Sequence, residues 1–141
     1  MRKLMLVGRV GTGKTSLIQA LRGEEIHYHK TQYIYHGSTL IDTPGEYIET
    51  RQLGGALALY AYEADVVGLV LSADEPYSPF SPNIAGLVNR EVIGIVSGID
   101  KEKARPERVA KWLRLSGAKR IFYVSAVTRE GIDELLSYLD S

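Results

Sequence analysis

Apolar residues in this chain follow two alternating rhythms. Short continuous runs, KLMLV at 3–7, VVGLVL at 66–71, EVIGIV at 91–96 and RIFYV at 120–124, have the length of buried strands. Between them, apolar positions recur every three to four residues, the period of a helix with one buried face. KTSLIQALR at 14–22 puts Leu17, Ile18 and Leu21 on one face, and Gly23 is expected to end that helix. Residues 55–63, rich in Ala and Leu, and a short segment at 82–89 also read as helical. So do 106–115, with Val109, Trp112 and Leu113 as a stripe, and 129–139, with Ile132, Leu135, Leu136 and Leu139. TQYIYH at 31–36 and STLID at 38–42 flank Gly37 as the arms of a hairpin.

Strands alternating with helices predict an α/β protein with helices on both faces of a mostly parallel sheet. Six strands are expected, one of them an antiparallel edge strand from the 31–42 hairpin. No internal repeat, low-complexity stretch or linker interrupts the 141 residues, which predicts one domain over 1–141.

Composition narrows the function. Seventeen Lys and Arg balance seventeen Asp and Glu, so no broad basic field exists to recruit nucleic acid or a membrane surface. There is no cysteine, which removes disulfides, thiolate metal sites and cysteine nucleophiles. The opening MRKLMLVG has too few apolar residues before Gly8 for a signal-peptide core, and a cytoplasmic chain is expected.

Chemistry concentrates at GRVGTGKT, residues 8–15. Gly8, Gly13, Lys14 and Thr15 fit G-x-x-x-x-G-K-[ST], a phosphate-binding loop, between a predicted strand and a predicted helix. Glycines let the backbone wrap a phosphate with its N–H groups inward, and the helix start adds partial positive charge. Lys14 would reach the β- and γ-phosphates, and Thr15 would set its hydroxyl on Mg2+. The loop alone does not choose between ATP and GTP. Farther on, DTPGE at 42–46 ends a predicted strand. Asp42 stands where a carboxylate holds Mg2+, and the Gly45 N–H could meet a γ-phosphate. In isolation a plain strand-end turn is the better account of D-x-P-G, but not after such a loop.

In order, GRVGTGKT, Thr31 before the hairpin, DTPG, a strand leading to Asp100 and then SAVTREG resemble a small Ras-like or translation-factor-like GTPase from Gly8 to Gly131. More narrowly, KTQ before the hairpin, DTPGEY, the proline-rich loop with Phe80, and VIGIV near IDK resemble the ethanolamine-utilisation EutP and propanediol-utilisation PduV family. The resemblance implies that Gly8, Gly11, Thr12, Gly13, Lys14, Thr15 and Ser16 cradle phosphates. It implies that Thr31 closes over Mg2+ and the γ-phosphate, so that Thr15, Thr31 and Asp42 form the metal set. Asp42 and Gly45 would sense the γ-phosphate. Asp100 would accept the guanine N1 and N2 hydrogens, and Ser125 and Ala126 would support the base.

Two departures qualify that picture. In place of N-K-x-D the chain has Ser97, Gly98, Ile99 and Asp100. Asp100 keeps the discriminating carboxylate, but no lysine stem starts at Gly98 to cover the base, and the amide that ties neighbouring loops becomes a hydroxyl. Weaker guanine binding is expected, and Lys101 is the one nearby stem that could replace the missing cover. After Gly45 stands Glu46, where many Ras-like proteins have the glutamine that orients water. A carboxylate cannot donate to that water and adds negative charge beside a phosphate, so slow hydrolysis is expected.

Other features read blandly. Arg9 and Arg51 are expected to be solvated rather than arginine fingers. His27, His29 and His36 lack the carboxylates or thiols that would complete a metal site. EPYSPFSPN at 75–83 could present Tyr77 and Phe80 to a protein partner, though turns set by proline and a Phe80 that caps the sheet explain it as well.

Three functions fit. A GTP switch would order segments 24–36 and 45–54 for a protein partner and release them on hydrolysis, within a microcompartment if the resemblance holds. An ATP-dependent acetate kinase, the activity assigned to the EutP family, would have a carboxylate attack the γ-phosphate; the weakened base signature favours it, and the lack of an obvious inserted lid opposes it. A non-catalytic nucleotide-binding module would keep the fold with little turnover. The catalytic set for the first is Lys14, Thr31, Gly45 and Glu46, and that reading is preferred.

Overall fold

In the computed structural model, residues 2–8, 12–28, 40–42, 64–80 and 82–140 are described. They form strands β1 (Leu4–Val7), β2 (Leu40–Asp42), β3 (Val66–Ser72), β4 (Glu91–Ser97) and β5 (Ile121–Tyr123). Helices α1 (Lys14–Tyr28), α2 (Pro106–Leu115) and α3 (Ile132–Asp140) alternate with them. The strands make one sheet in the order β2-β1-β3-β4-β5, and every described pairing is parallel.

A parallel sheet must be covered on both faces, which explains why its strands are apolar throughout. Alternation along β1 divides the core. Leu4 and Leu6 face Leu17 and Leu21 of α1 and Ile132, Leu135 and Leu139 of α3. Met5 and Val7 face the other way, with Val109 and Leu113 of α2 and with Phe80 and Ile84. The result is three layers, the α/β architecture expected. Five strands lie among the described residues; the antiparallel strand expected at 31–36 and the helix expected at 55–63 lie outside them.

Several boundaries moved. Helix α1 does not stop at Gly23 but continues to Tyr28. A glycine ends a helix by turning left-handed, and Gly23 is not among the glycines that do so. The segment expected as a helix at 82–89 is one turn of 3-10 helix, Ile84–Leu87, entered through Asn83 in the left-handed region. In α2 the buried stripe is Val109, Ala110 and Leu113, whereas Trp112 is only half-buried with the Arg108 guanidinium 5.1 Å over its ring. In α3, Leu136 is likewise half-buried beside the fully packed Ile132, Leu135 and Leu139.

Candidate functional site

The chain winds to β2 on one side of β1 and to β3 on the other, so the order in which strands are added reverses at β1. In open α/β sheets the crevice beyond the strand ends at such a reversal is where ligands sit. GRVGTGKT leaves β1 at that point.

Gly8 is the first residue beyond β1, and a Cβ there would lie 3.0 Å from Thr12 Oγ1 and 3.2 Å from the Val70 carbonyl oxygen. The strand end thus packs closely on β3, where a side chain would press on Thr12 and on the Val70 backbone. Gly13 has φ +84, the left-handed conformation that glycine adopts without strain. Its carbonyl accepts the Leu17 N–H at 2.9 Å, so α1 begins immediately and its first N–H groups have no partner within the helix. Thr15 and Ser16 are exposed at that terminus, while Lys14 is 8% exposed. These features fit a bound polyphosphate: a crowded glycine turn, a left-handed glycine and a run of helix-terminal donors with a lysine and two hydroxyls.

The end of β4 joins this loop directly. The Ser97 hydroxyl donates to the Thr12 carbonyl oxygen at 2.6 Å, across 85 residues of sequence. The tie expected to weaken when an amide became a hydroxyl is present. Thr12 itself is buried, and its own hydroxyl has no hydrogen-bond partner among the described residues.

Three residues after Ser97, the Asp100 carboxylate is exposed and accepts the Ser125 hydroxyl at 2.8 Å. Ser125 is fully buried, and its oxygen in turn accepts the Thr128 N–H at 3.0 Å. Its own N–H donates to the Glu130 carbonyl at 2.9 Å, closing the 125–130 loop on itself. Ala126 lies half-buried in this loop. Arg129, left-handed at φ 67, reaches across to the Ala20 carbonyl of α1 at 3.2 Å. The loop after β5 is thus tied both to Asp100 and to the helix that follows the phosphate loop.

Of the expected site residues, Gly8, Thr12, Gly13, Lys14, Thr15, Ser16, Asp100, Ser125 and Ala126 all lie at the carboxyl ends of β1, β4 and β5. The backbone of Asp42 ends β2 in register with Leu6, two residues before Gly8. Gly11, Thr31, Gly45 and Glu46 lie outside the described residues, as do Arg9, Arg51, His29 and His36. The two-sided reading of the 75–83 loop resolves for Phe80, which is 5% exposed within the core, while Tyr77 is 56% exposed.

Lys101, the stem that the sequence offers in place of the one missing at Gly98, passes within 2.9 Å of where a Gly98 Cβ would sit. Its ammonium donates to Ser72 Oγ at 2.9 Å and approaches Asp74 Oδ1 at 3.4 Å, at the end of β3. Ser72 and Asp74 went unnoticed in the sequence, because SADE after an apolar strand carries no motif. Behind Asp74 opens a cavity of about 640 Å³ edged by Pro76, Glu102, Lys103, Arg105 and Arg108.

Comparison with known proteins places the chain in a family. The family model described as "Ethanolamine utilisation - propanediol utilisation" (PduV-EutP) matches residues 1–141. The propanediol utilization protein PduV of Citrobacter freundii is 48% identical over the whole chain and 95% of its own length. The probable acetate kinase EutP of Escherichia coli (strain K12) is 29% identical over the whole chain and 91% of its own. Translation initiation factor IF-2 of Sphingopyxis alaskensis is 34% identical over 93% of this chain but only 18% of its own length. A family match spanning every residue, together with a relative aligned almost end to end, shows that this chain belongs to the PduV-EutP family.

Proposed function

We propose that the chain binds a Mg2+-complexed nucleoside triphosphate, GTP in preference to ATP, hydrolyses it slowly, and acts as a small switch in ethanolamine or propanediol utilisation or its microcompartment. The carrying observation is the pair formed by Asp100 and Ser125, set beside a phosphate loop to which the same strand is tied through Ser97. A carboxylate whose Oδ1 already takes a fixed hydroxyl hydrogen is oriented, and a guanine edge offers it two adjacent N–H donors. Adenine offers no such pair, so its binding would leave the carboxylate unmatched.

Thr15, Thr31 and Asp42 would hold the Mg2+, which would offset charge on the β- and γ-phosphates. Lys14 would reach the same phosphates beside the α1 donors. Glu46 would stand near the attacking water without being able to donate to it, which keeps turnover slow. Segments 24–36 and 45–54 would be the parts a protein partner reads, and the 75–83 loop offers Tyr77 as an additional contact.

A second reading is an ATP-dependent acetate kinase. It is favoured by the name of the Escherichia coli relative, a probable acetate kinase, and by Gly98, which starts no lysine stem over the base. Titration calorimetry with non-hydrolysable GTP and ATP analogues, with and without Mg2+, separates the two. Guanine preference that requires Mg2+ is the expected result. Equal or better ATP binding, with acetyl phosphate formed from ATP and acetate, would replace the switch with the kinase. Binding without turnover would leave a nucleotide-dependent interaction module.

A further inference from the structure

The turn that carries Asp100 is held from two sides. On the β5 side stands Ser125, as above. On the β3 side the contacts come from the turn's own last residue. Ser72 and Ser97 are paired at the ends of β3 and β4, and the Ala73 N–H donates to the Ser97 carbonyl at 2.7 Å. Beyond them, Gly98 to Lys101 close a tight turn, with the Lys101 N–H on the Gly98 carbonyl at 3.0 Å. Lys101 then doubles back over that turn. Its Cε and Cδ come within 2.9 and 3.1 Å of where a Gly98 Cβ would sit. Its ammonium ends on Ser72 Oγ and Asp74 Oδ1, and the Ser72 hydroxyl itself donates to Asp74 at 2.5 Å.

An exposed ion pair alone would hold little, and the Lys101 and Asp74 side chains are 42% and 38% exposed. Two further features make this one a restraint. Ser72 is 2% exposed and fixed in a strand, so the anchor does not move. The lysine stem packs on backbone that only glycine leaves bare, and Gly98 at φ +66 is in a conformation that favours glycine as well.

We propose that Lys101 is a positioning residue for Asp100: through Ser72 and Asp74 it clamps the 98–101 turn to the end of β3 and so fixes the direction in which the Asp100 carboxylate is presented. The inference rests on Asp100 reading the base. A carboxylate that meets two donors at once tolerates little rotation, whereas the 8–15 loop holds phosphates through its own backbone and Lys14 and is indifferent to it. Loss of the clamp therefore lowers discrimination for the second donor and leaves phosphate affinity alone.

The experiment compares the wild type with Lys101→Ala, Lys101→Met, Asp74→Asn and Asp100→Asn. Calorimetry with Mg2+ gives Kd for non-hydrolysable GTP and ITP analogues, which differ in the guanine 2-amino group, and for inorganic triphosphate. The expected result is a fall of about fivefold to tenfold in the GTP-over-ITP preference for Lys101→Ala and Asp74→Asn, with triphosphate affinity unchanged. Lys101→Met, which keeps the stem and loses the anchor, shows a fall as well and serves if Lys101→Ala does not fold. A preference that stays at the wild-type ratio in the folded clamp variants, while Asp100→Asn shifts it, overturns the clamp alone. A ratio that Asp100→Asn also leaves unchanged removes the base reading, and the clamp with it.

Discussion

The Ser125 hydroxyl lies between two partners, donating to Asp100 Oδ1 at 2.8 Å and accepting the Thr128 N–H at 3.0 Å. Its single proton is committed to the carboxylate, so the direction of the Asp100 acceptor is set before any ligand arrives. The first prediction follows from that commitment. Ser125→Ala removes the acceptor of the Thr128 N–H and frees the carboxylate, which costs about 1 kcal/mol of stability and a few degrees in Tm. Calorimetric melting measures the first effect, and a reduced guanine preference in titrations measures the second.

Lys14 is buried at the first position of α1, within the G-x-x-x-x-G-K-[ST] motif. Lys14→Ala is expected to abolish nucleotide binding with an unchanged circular-dichroism spectrum. Retained affinity for the GTP analogue would remove the phosphate site from this loop.

Thr12 has a buried hydroxyl without a partner among the described residues, while its carbonyl receives Ser97. An unsatisfied buried hydroxyl is costly, and a valine of the same shape does not carry it. Thr12→Val is therefore expected to raise stability by about 1 kcal/mol in denaturant titrations, with the backbone tie to Ser97 intact. A loss of stability would mean that the hydroxyl is needed where it stands.

At the opposite end of the sheet, Arg2 donates to Glu91 at 3.1 Å and to the Tyr138 carbonyl at 2.6 Å, and the Tyr138 hydroxyl donates to Glu91. The Tyr138 hydroxyl foremost, and then the Arg2 guanidinium, hold the Glu91 carboxyl below its ordinary value against the effect of partial burial. A depressed carboxyl contributes stability that is present above its unfolded pKa and lost as pH falls through the folded one. Burial foremost, and then Glu91, raise the Tyr138 phenol, whose contribution is present below the ordinary tyrosine pKa and lost as pH rises through the raised one. Tm is thus expected to fall at both extremes. Tyr138→Phe should lower Tm near neutrality, and that difference should shrink in acid, where Glu91 is protonated in both proteins.

Glu46→Gln tests the hydrolysis argument. A side chain that both donates and accepts can orient water where a carboxylate only accepts. Single-turnover GTP hydrolysis is expected to be faster in the variant than in the wild type. An equal or slower rate would show that Glu46 does not limit the step.

Much of the fold was legible because its signals are local. EVIGIV and VVGLVL have the length and the β-branched content of buried strands, and the Val109 and Leu113 spacing gives α2 its buried face. Errors arose where one residue type serves two purposes. Gly23 could have ended α1, but a glycine that keeps helical dihedrals costs the helix only about 1 kcal/mol relative to alanine, and the helix runs on. Trp112 fits the apolar stripe by spacing, yet its rim position under Arg108 leaves it half-buried. The site divides in the same way. GRVGTGKT announced itself because a phosphate cradle needs glycines at fixed offsets, whereas Ser72 and Asp74 belong to no pattern.

By itself the sequence determined the α/β alternation, the phosphate loop after the first strand and the acidic and hydroxyl residues at Asp100 and Ser125. Those features depend on spacing within a few residues, which backbone geometry converts directly into strands, helices and turns. Only the tertiary structure decided that the Ser97 hydroxyl meets the Thr12 carbonyl, that Lys101 turns back to Ser72 rather than outward, and that Arg2 reaches Glu91 across 89 residues. Each of these contacts depends on which strand lies beside which, and strand order is set by how the crossover helices pack on the two faces of the sheet, which no short-range periodicity records.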